Sequence, residues 1–207
     1  QQVRDELAKI DPEFKWVTIR SGRPDEFQAT HPNERPEESE EGSVDPLAAD
    51  RKPIETTIDI AEGQKGVSYA KLFGPYVKGA KDIKVVDPYV RFDYQIHNFV
   101  NFCECIAPSA GEVRVDLVTS AGSTDAEVQL SAKLEEVQAS LEQDKVTMSY
   151  TFDPSLHDRW IETDTGWRIN LGRGLDIFQK PEGRFSLGFV DNTKRACKAT
   201  TVSFHRV

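Results

Sequence analysis

Cysteine is scarce in this sequence: its 207 residues hold three, Cys103, Cys105 and Cys197. An odd number without a CxxC pair argues against a disulfide framework and for reduced, buried thiols in a cytoplasmic protein. Long apolar runs are missing, so no segment approaches a membrane span. Nothing at the start reads as a signal peptide. The first residue is Gln1 rather than Met, as in a piece of something longer. Net positive charge is absent too, with 26 Lys and Arg against 35 Asp and Glu, a balance of −9. That excludes general affinity for nucleic acid or membranes, both of which are anionic.

What charge there is lies unevenly. Eight acidic residues and one Arg fall between Asp25 and Asp45, whereas Pro154–Val207 holds nine Lys/Arg against six Asp/Glu. Residues 21–52, "SGRPDEFQATHPNERPEESEEGSVDPLAADRK", are rich in Pro, Glu, Ser and Asp. Such a stretch buries too little to offset the entropy of ordering itself and reads as an acidic flexible linker. Residues 1–20 ("VRDELAKI" as helix, "FKWVTI" as strand) read as the tail of a preceding unit. The compact domain is expected over 53–207.

Within it the periodicity alternates. "IKVV" (83–86) suits a buried strand. Tyr89, Phe92, Ile96, Phe99, Cys103 and Ile106 recur at helical spacing, which makes Phe92, Phe99 and Cys103 core residues. "EVRVDLVTS" alternates as a strand should. Thr124 and Glu127 form a capping box, and Leu130, Leu134, Val137 and Leu141 stripe the helix that follows. "KVTMSYTF" is a further strand, and "HDRWIETD", "GWRINLG" and "ATTVSFHR" make the C-terminal part β-rich. The order predicts an α/β fold with a mixed, mostly parallel sheet flanked by helices. Ligands of such sheets sit beyond the carboxyl ends of the strands, where Asp87 and Arg91 fall.

One short string carries chemistry. In "PSLHDRWIETDTGW", His157 and Arg159 are two apart, and on a strand would share a face. A histidine oriented by a carboxylate can attack phosphorus while a neighbouring cation stabilises the phosphoryl oxygens. His-x-Lys-x4-Asp is the spacing the phospholipase D superfamily uses for this, and His157-x-Arg159-x4-Asp164 follows it with Arg in place of Lys. The planar guanidinium does not replace a compact ammonium in a tight site. Nor is there a second copy: His31, His97 and His205 lack the context. That mechanism needs one histidine to attack and another to protonate the leaving group. His157, Arg159 and Asp164 therefore read as vestiges of a catalytic set.

Other residues divide between two readings. Arg173 lies between glycines in "LGRGLD", a backbone that either approaches an anion closely or simply turns. Asp87 is either a helix N-cap or, with Arg91 one turn into the helix, part of a pocket with His157. Arg168, Lys180, Arg184, Lys194, Arg195 and Lys198 form either a solvated face or, in part, a phosphate-reading one. Trp160 and Trp167 read as packing residues. No metal or cofactor is called for.

The longer strings resemble a known family. "TIDIAEGQKGVSYAKLF", "KLFGPYVKGAKDIKVVDPYVRFDYQIHNFVNFCE" and "LHDRWIETDTGWRINLGRGLDIFQKPEGRFSLGFVDNTKRACKATTVSFHR" are similar to the phospholipase D-like C-terminal domain of MIT-domain-containing proteins. The resemblance runs from about Ile54 to Val207, with "DPYVR", "HDRW…GW", "LGRGLD.F" and "RFSLG" in order. It implies a phospholipase D-like fold without the paired catalytic histidines. Animal members act in cytokinetic abscission, where the MIT domain binds ESCRT-III tails and this domain dimerises on phosphoinositide membranes. Residues 1–52 do not read as a three-helix MIT domain. The domain also resembles a C-terminal appendage of bacterial Lon-like ATPases, whose tail "VRDELAKI" would fit.

The expectation is a non-catalytic binding module, homodimeric and cytoplasmic or peripheral at membranes, with further domains upstream. Asp87, Arg91, His157, Arg159, Arg168 and Arg173 would hold an anionic lipid headgroup or a nucleic-acid backbone. Its rivals are a dimeric phosphodiesterase or nuclease pairing His157 from two chains, and a domain for dimerisation or protein docking alone.

Overall fold

A computed structural model of the chain describes Leu47 and residues 51–106, 111–180, 183, 185, 188 and 191–207. The helix and strand expected in 1–20, the linker other than Leu47, Arg51 and Lys52, and Arg184 lie outside the described residues.

The chain order is β1 (Thr56–Ile60), α1 (Tyr69–Val77), β2 (Asp82–Val86), α2 (Asp93–Glu104), β3 (Val113–Thr119), α3 (Thr124–Glu142), β4 (Val146–Phe152), β5 (Trp160–Thr163), β6 (Trp167–Leu171) and β7 (Thr200–Arg206). The strands form one sheet in the order β1-β7-β6-β5-β2-β3-β4. Only β2–β3 and β3–β4 are parallel, and the other four pairings are antiparallel. The sheet is therefore mixed but mostly antiparallel, contrary to the expectation. A parallel neighbour needs a crossover of a dozen residues, usually a helix. Among the described residues after β4, no α-helix intervenes. Three residues, Asp164 to Gly166, join β5 to β6, with Gly166 at φ +80°.

Strand alternation sorts the two faces. Ile83 and Val85 on β2, Trp167, Ile169 and Leu171 on β6, and Val202 and Phe204 on β7 are buried. Helix α1 covers them: the Tyr76 ring stacks on Phe204 at 4.0 Å and meets Trp167 edge-on at 5.0 Å. Phe73 of α1 packs on Phe102 of α2 at 5.7 Å, which joins the helices into one layer. Leu130, Leu134, Val137 and Leu141 of α3 are all buried, as their spacing predicts. The opposite face carries Lys84, Asn170 and Thr201, all exposed, and none of the three helices covers it.

Helix starts differ from expectation. The N-cap of α3 is Ser123, whose Oγ accepts from Ala126 N at 3.4 Å, in place of a Thr124–Glu127 box. Helix α2 begins at Asp93, after a turn through Pro88 in which Asp87 Oδ1 accepts from Tyr89 N at 3.0 Å. Phe92 stands at its N-cap and is 58% exposed, so it is no core residue, while Phe99 and Cys103 are fully buried. Strand β1 and helix α1 went unread in the periodicity, although Ser68 caps α1 by accepting from Lys71 N at 3.2 Å.

Leu47 packs against the core. Arg51 donates to Leu72 O at 3.2 Å and lies over the Tyr76 ring at 5.3 Å. No helix among the described residues is long and apolar enough to cross a membrane.

Candidate functional site

His157 and Arg159 do not share a strand. They lie on the irregular segment leading into β5, which starts at Trp160. Trp160 pairs with Val86 and Thr163 with Ile83, so this segment arrives at the carboxyl end of β2. Asp153 shapes the approach by accepting from Ser155 N at 2.8 Å and Ser155 Oγ at 2.6 Å. Those two bonds hold the Asp153 carboxyl below its ordinary range, with a smaller contribution from nearby His157.

Asp164 sits at the other end of β5. Its N–H donates to Asp82 O at 3.0 Å, and its Oδ1 accepts from Lys81 N at 3.0 Å. A four-residue strand, roughly 13 Å at about 3.3 Å per residue, separates it from Arg159. The string His157-x-Arg159-x4-Asp164 is thus continuous in sequence but split in space. No carboxylate from it reaches the His157 ring.

The structure does bring His157, Arg159 and Arg168 together. With Trp160, Asn170 and Ser203 they line an open groove of about 550 Å³ on the helix-free face. Arg168 is already engaged, paired with Glu162 at 3.2 Å and lying over the Trp160 ring at 4.1 Å. It belongs to a row that crosses the sheet in register, Asp116, Lys84, Glu162, Arg168 and His205. Charges of opposite sign alternate along the first four, which consumes much of the local positive potential. Trp160 is half-buried in the groove wall, and Trp167 is core.

Arg159 links the groove to a second set of residues. Its Nη1 donates to Gly172 O at 2.8 Å, and its guanidinium lies 4.6 Å from the centre of the Tyr89 ring. Arg91 sits in the turn before α2, not within the helix, 5.2 Å from the Tyr89 ring centre and 5.8 Å from that of Phe92. The Nε–H groups of Arg91 and Arg159 are both buried without a hydrogen-bond partner among the described residues.

Asp87 holds this end of the sheet in place. Only 2% exposed, it accepts from Tyr89 N and, through Oδ2, from Leu175 N at 2.9 Å. Burial pushes its carboxyl pKa up, against the pull of those N–H donors and of Arg159. The Leu175 carbonyl in turn accepts from Tyr69 Oη at 2.5 Å. The loop after β6 is therefore stapled to the core from two sides. Asp87 is neither the N-cap of α2, a place held by Phe92, nor a groove residue. Arg173 projects from the stapled loop, exposed and, among the described residues, without a side-chain partner.

The remaining basic residues are largely spent. Lys198 pairs with Asp176 at 2.8 Å. Arg195 donates to Gln179 O at 2.8 Å, and desolvation lowers its pKa. Lys180 and Lys194 are exposed. Among the described residues no three His, Cys, Asp or Glu side chains gather as a metal site would require. Sequence reasoning missed Tyr89 as the ring shared by Arg91 and Arg159. The aromatic between Pro88 and Arg91 was a visible signal, but helical spacing placed it in the apolar stripe of the helix.

Comparison with known proteins bears on the same region. A family model described as a phospholipase D-like domain at the C-terminus of MIT matches residues 66–206. The mouse (Mus musculus) MIT domain-containing protein 1 is 41% identical over 151 residues, or 72% of this chain. Those residues span 61% of that relative's length. All the candidate site residues fall within the matched family segment.

Proposed function

The chain belongs to the family of phospholipase D-like domains found at the C-terminus of MIT proteins, and on that premise we propose that it is a non-catalytic module recognising a phosphate-bearing partner. The observation that carries this reading is the pair of guanidiniums at the carboxyl end of β2. Arg91 and Arg159 both lie over the Tyr89 ring, and the buried Nε–H of each has no acceptor among the described residues. Phosphate suits the planar fork of arginine, and exposed Arg173 adds a third charge at the same end.

Placement of the string supports the non-catalytic reading. Attack by His157 needs a carboxylate to orient the ring, and Asp164 is a strand away. Protonation of the leaving group needs a second acid that the single string does not supply. The anion is a phosphate mono- or diester, as in a phosphoinositide headgroup or a nucleic-acid backbone. The module acts as the C-terminal domain of a longer, homodimeric, cytoplasmic protein.

The test uses Arg159→Glu and Arg173→Glu in co-sedimentation with phosphoinositide vesicles and in anisotropy with a labelled oligonucleotide. Loss of binding with unchanged melting supports the reading, and unchanged binding to both ligands ends it. Exposed His157 leaves room for a second chain's copy. Metal-independent phosphodiester hydrolysis abolished by His157→Ala would establish the paired-histidine enzyme instead. Dimerisation without either ligand would leave the docking domain.

A further inference from the structure

Tyr89, Phe92 and Tyr94 are 39%, 58% and 53% exposed, three large aromatics within one turn and the start of a helix. Burial does not explain them, since the apolar stripe of α2 begins at Ile96. The Phe92 and Tyr94 rings lie nearly parallel, 6° apart with centroids 6.4 Å from each other, and form an offset shelf. Arg91 spans the Tyr89 and Phe92 rings, while Arg159 sits over Tyr89 and reaches into the groove beyond. A phosphate by itself would need the guanidiniums but not the shelf.

We infer that the partner is single-stranded nucleic acid, with bases stacked on the Phe92–Tyr94 shelf and the backbone read by Arg91, Arg159 and Arg173. This rests on the phosphate reading above and adds what the phosphate is attached to. Exposed aromatics interleaved with arginines form a sequence-tolerant platform, because every base has a flat face.

One observation favours a strand over a lipid surface: the groove and the shelf do not share a plane. The groove lies on the helix-free face, and the shelf stands past the end of β2, where the chain turns into the helix layer. A linear polymer follows both around Arg159, whereas a flat bilayer meets one.

The experiment measures anisotropy of a labelled oligothymidylate of about ten nucleotides and of an abasic strand of equal length, beside phosphoinositide vesicles. The expected result is binding of oligothymidylate roughly tenfold tighter than the abasic strand. Phe92→Ala with Tyr94→Ala removes that advantage and leaves abasic binding unchanged. Both side chains are exposed, so the variant keeps its fold, which a melting curve verifies. Arg91→Gln with Arg159→Gln weakens both strands, and the slope of log affinity against log salt becomes shallower by about 1 to 2. Equal affinity for the two strands overturns the stacking and leaves the phosphate reading intact. Binding to vesicles alone overturns the nucleic-acid assignment. Binding to none of the three removes both readings.

Discussion

The Asp87 carboxylate occupies the space into which any residue but glycine at position 174 would place its Cβ. Gly174 also holds a φ of +63°, which L side chains rarely adopt. The contact locks the loop after β6 against the end of β2 and so aims Arg173. Gly174→Ala is expected to destabilise the domain by at least about 2 kcal/mol, combining backbone strain with displacement of a buried hydrogen-bonded carboxylate. Gly63 shares the positive φ but faces open space, and Gly63→Ala should cost only about 1 kcal/mol. Urea unfolding of the two variants reads the difference.

The same carboxylate sets a pH dependence. Burial raises the folded-state pKa of Asp87 above its ordinary 3.8, so the native chain holds that proton more tightly than the unfolded one. Its contribution to stability is fully present below the unfolded value and is lost as pH rises through the folded value. The stability of the wild type relative to Asp87→Asn should therefore fall with increasing pH from about 4 and then level off. A difference that stays flat, or that rises with pH, would refute the raised pKa.

Two apolar residues at helical spacing should behave oppositely. Leu134 is fully buried, and Leu134→Ala should cost about 2–5 kcal/mol. Phe92 was assigned to a core stripe by the same periodicity but stands exposed, and Phe92→Ala should stay within about 0.5 kcal/mol. Chemical denaturation of both variants checks where α2 begins.

The thiols are expected to be inert. Burial pushes Cys105 to about 12 and Cys197 to about 11, and drives Cys103 higher still. At pH near 8 little thiolate exists, and Cys103 and Cys197 are fully buried. A thiol-reactive dye should label the native chain slowly and all three sites promptly in denaturant. Fast native labelling would contradict the packing around Cys103 and Cys197.

Local pattern was enough for much of the fold. A run such as "IKVV" or the Leu130–Leu141 stripe satisfies its own burial with a single periodicity, so β2, the strands after it and α3 were readable from neighbours in the chain. Helix α2 was readable except at its first turn. There the Asp87 side chain, bonded to Tyr89 N and Leu175 N, holds Tyr89 and Phe92 outside the helix. No periodicity registers a bond to a loop so distant in sequence.

The sequence by itself determined the layer of helices on a sheet, the family, and the presence of one histidine–arginine string without a second. Tertiary structure decided how the strands run and what the string means. Strand direction depends on whether a helix or a tight turn lies between neighbours, and the turn at Gly166 makes the C-terminal half antiparallel. The string's meaning depends on where a strand begins. Starting β5 at Trp160 leaves His157 and Arg159 at the carboxyl end of β2 and carries Asp164 to the far end. Eight residues, His157 to Asp164, that look like one site in sequence thus become an arginine beside an aromatic shelf and an aspartate a strand's length away, because an extended chain moves about 3.3 Å per residue.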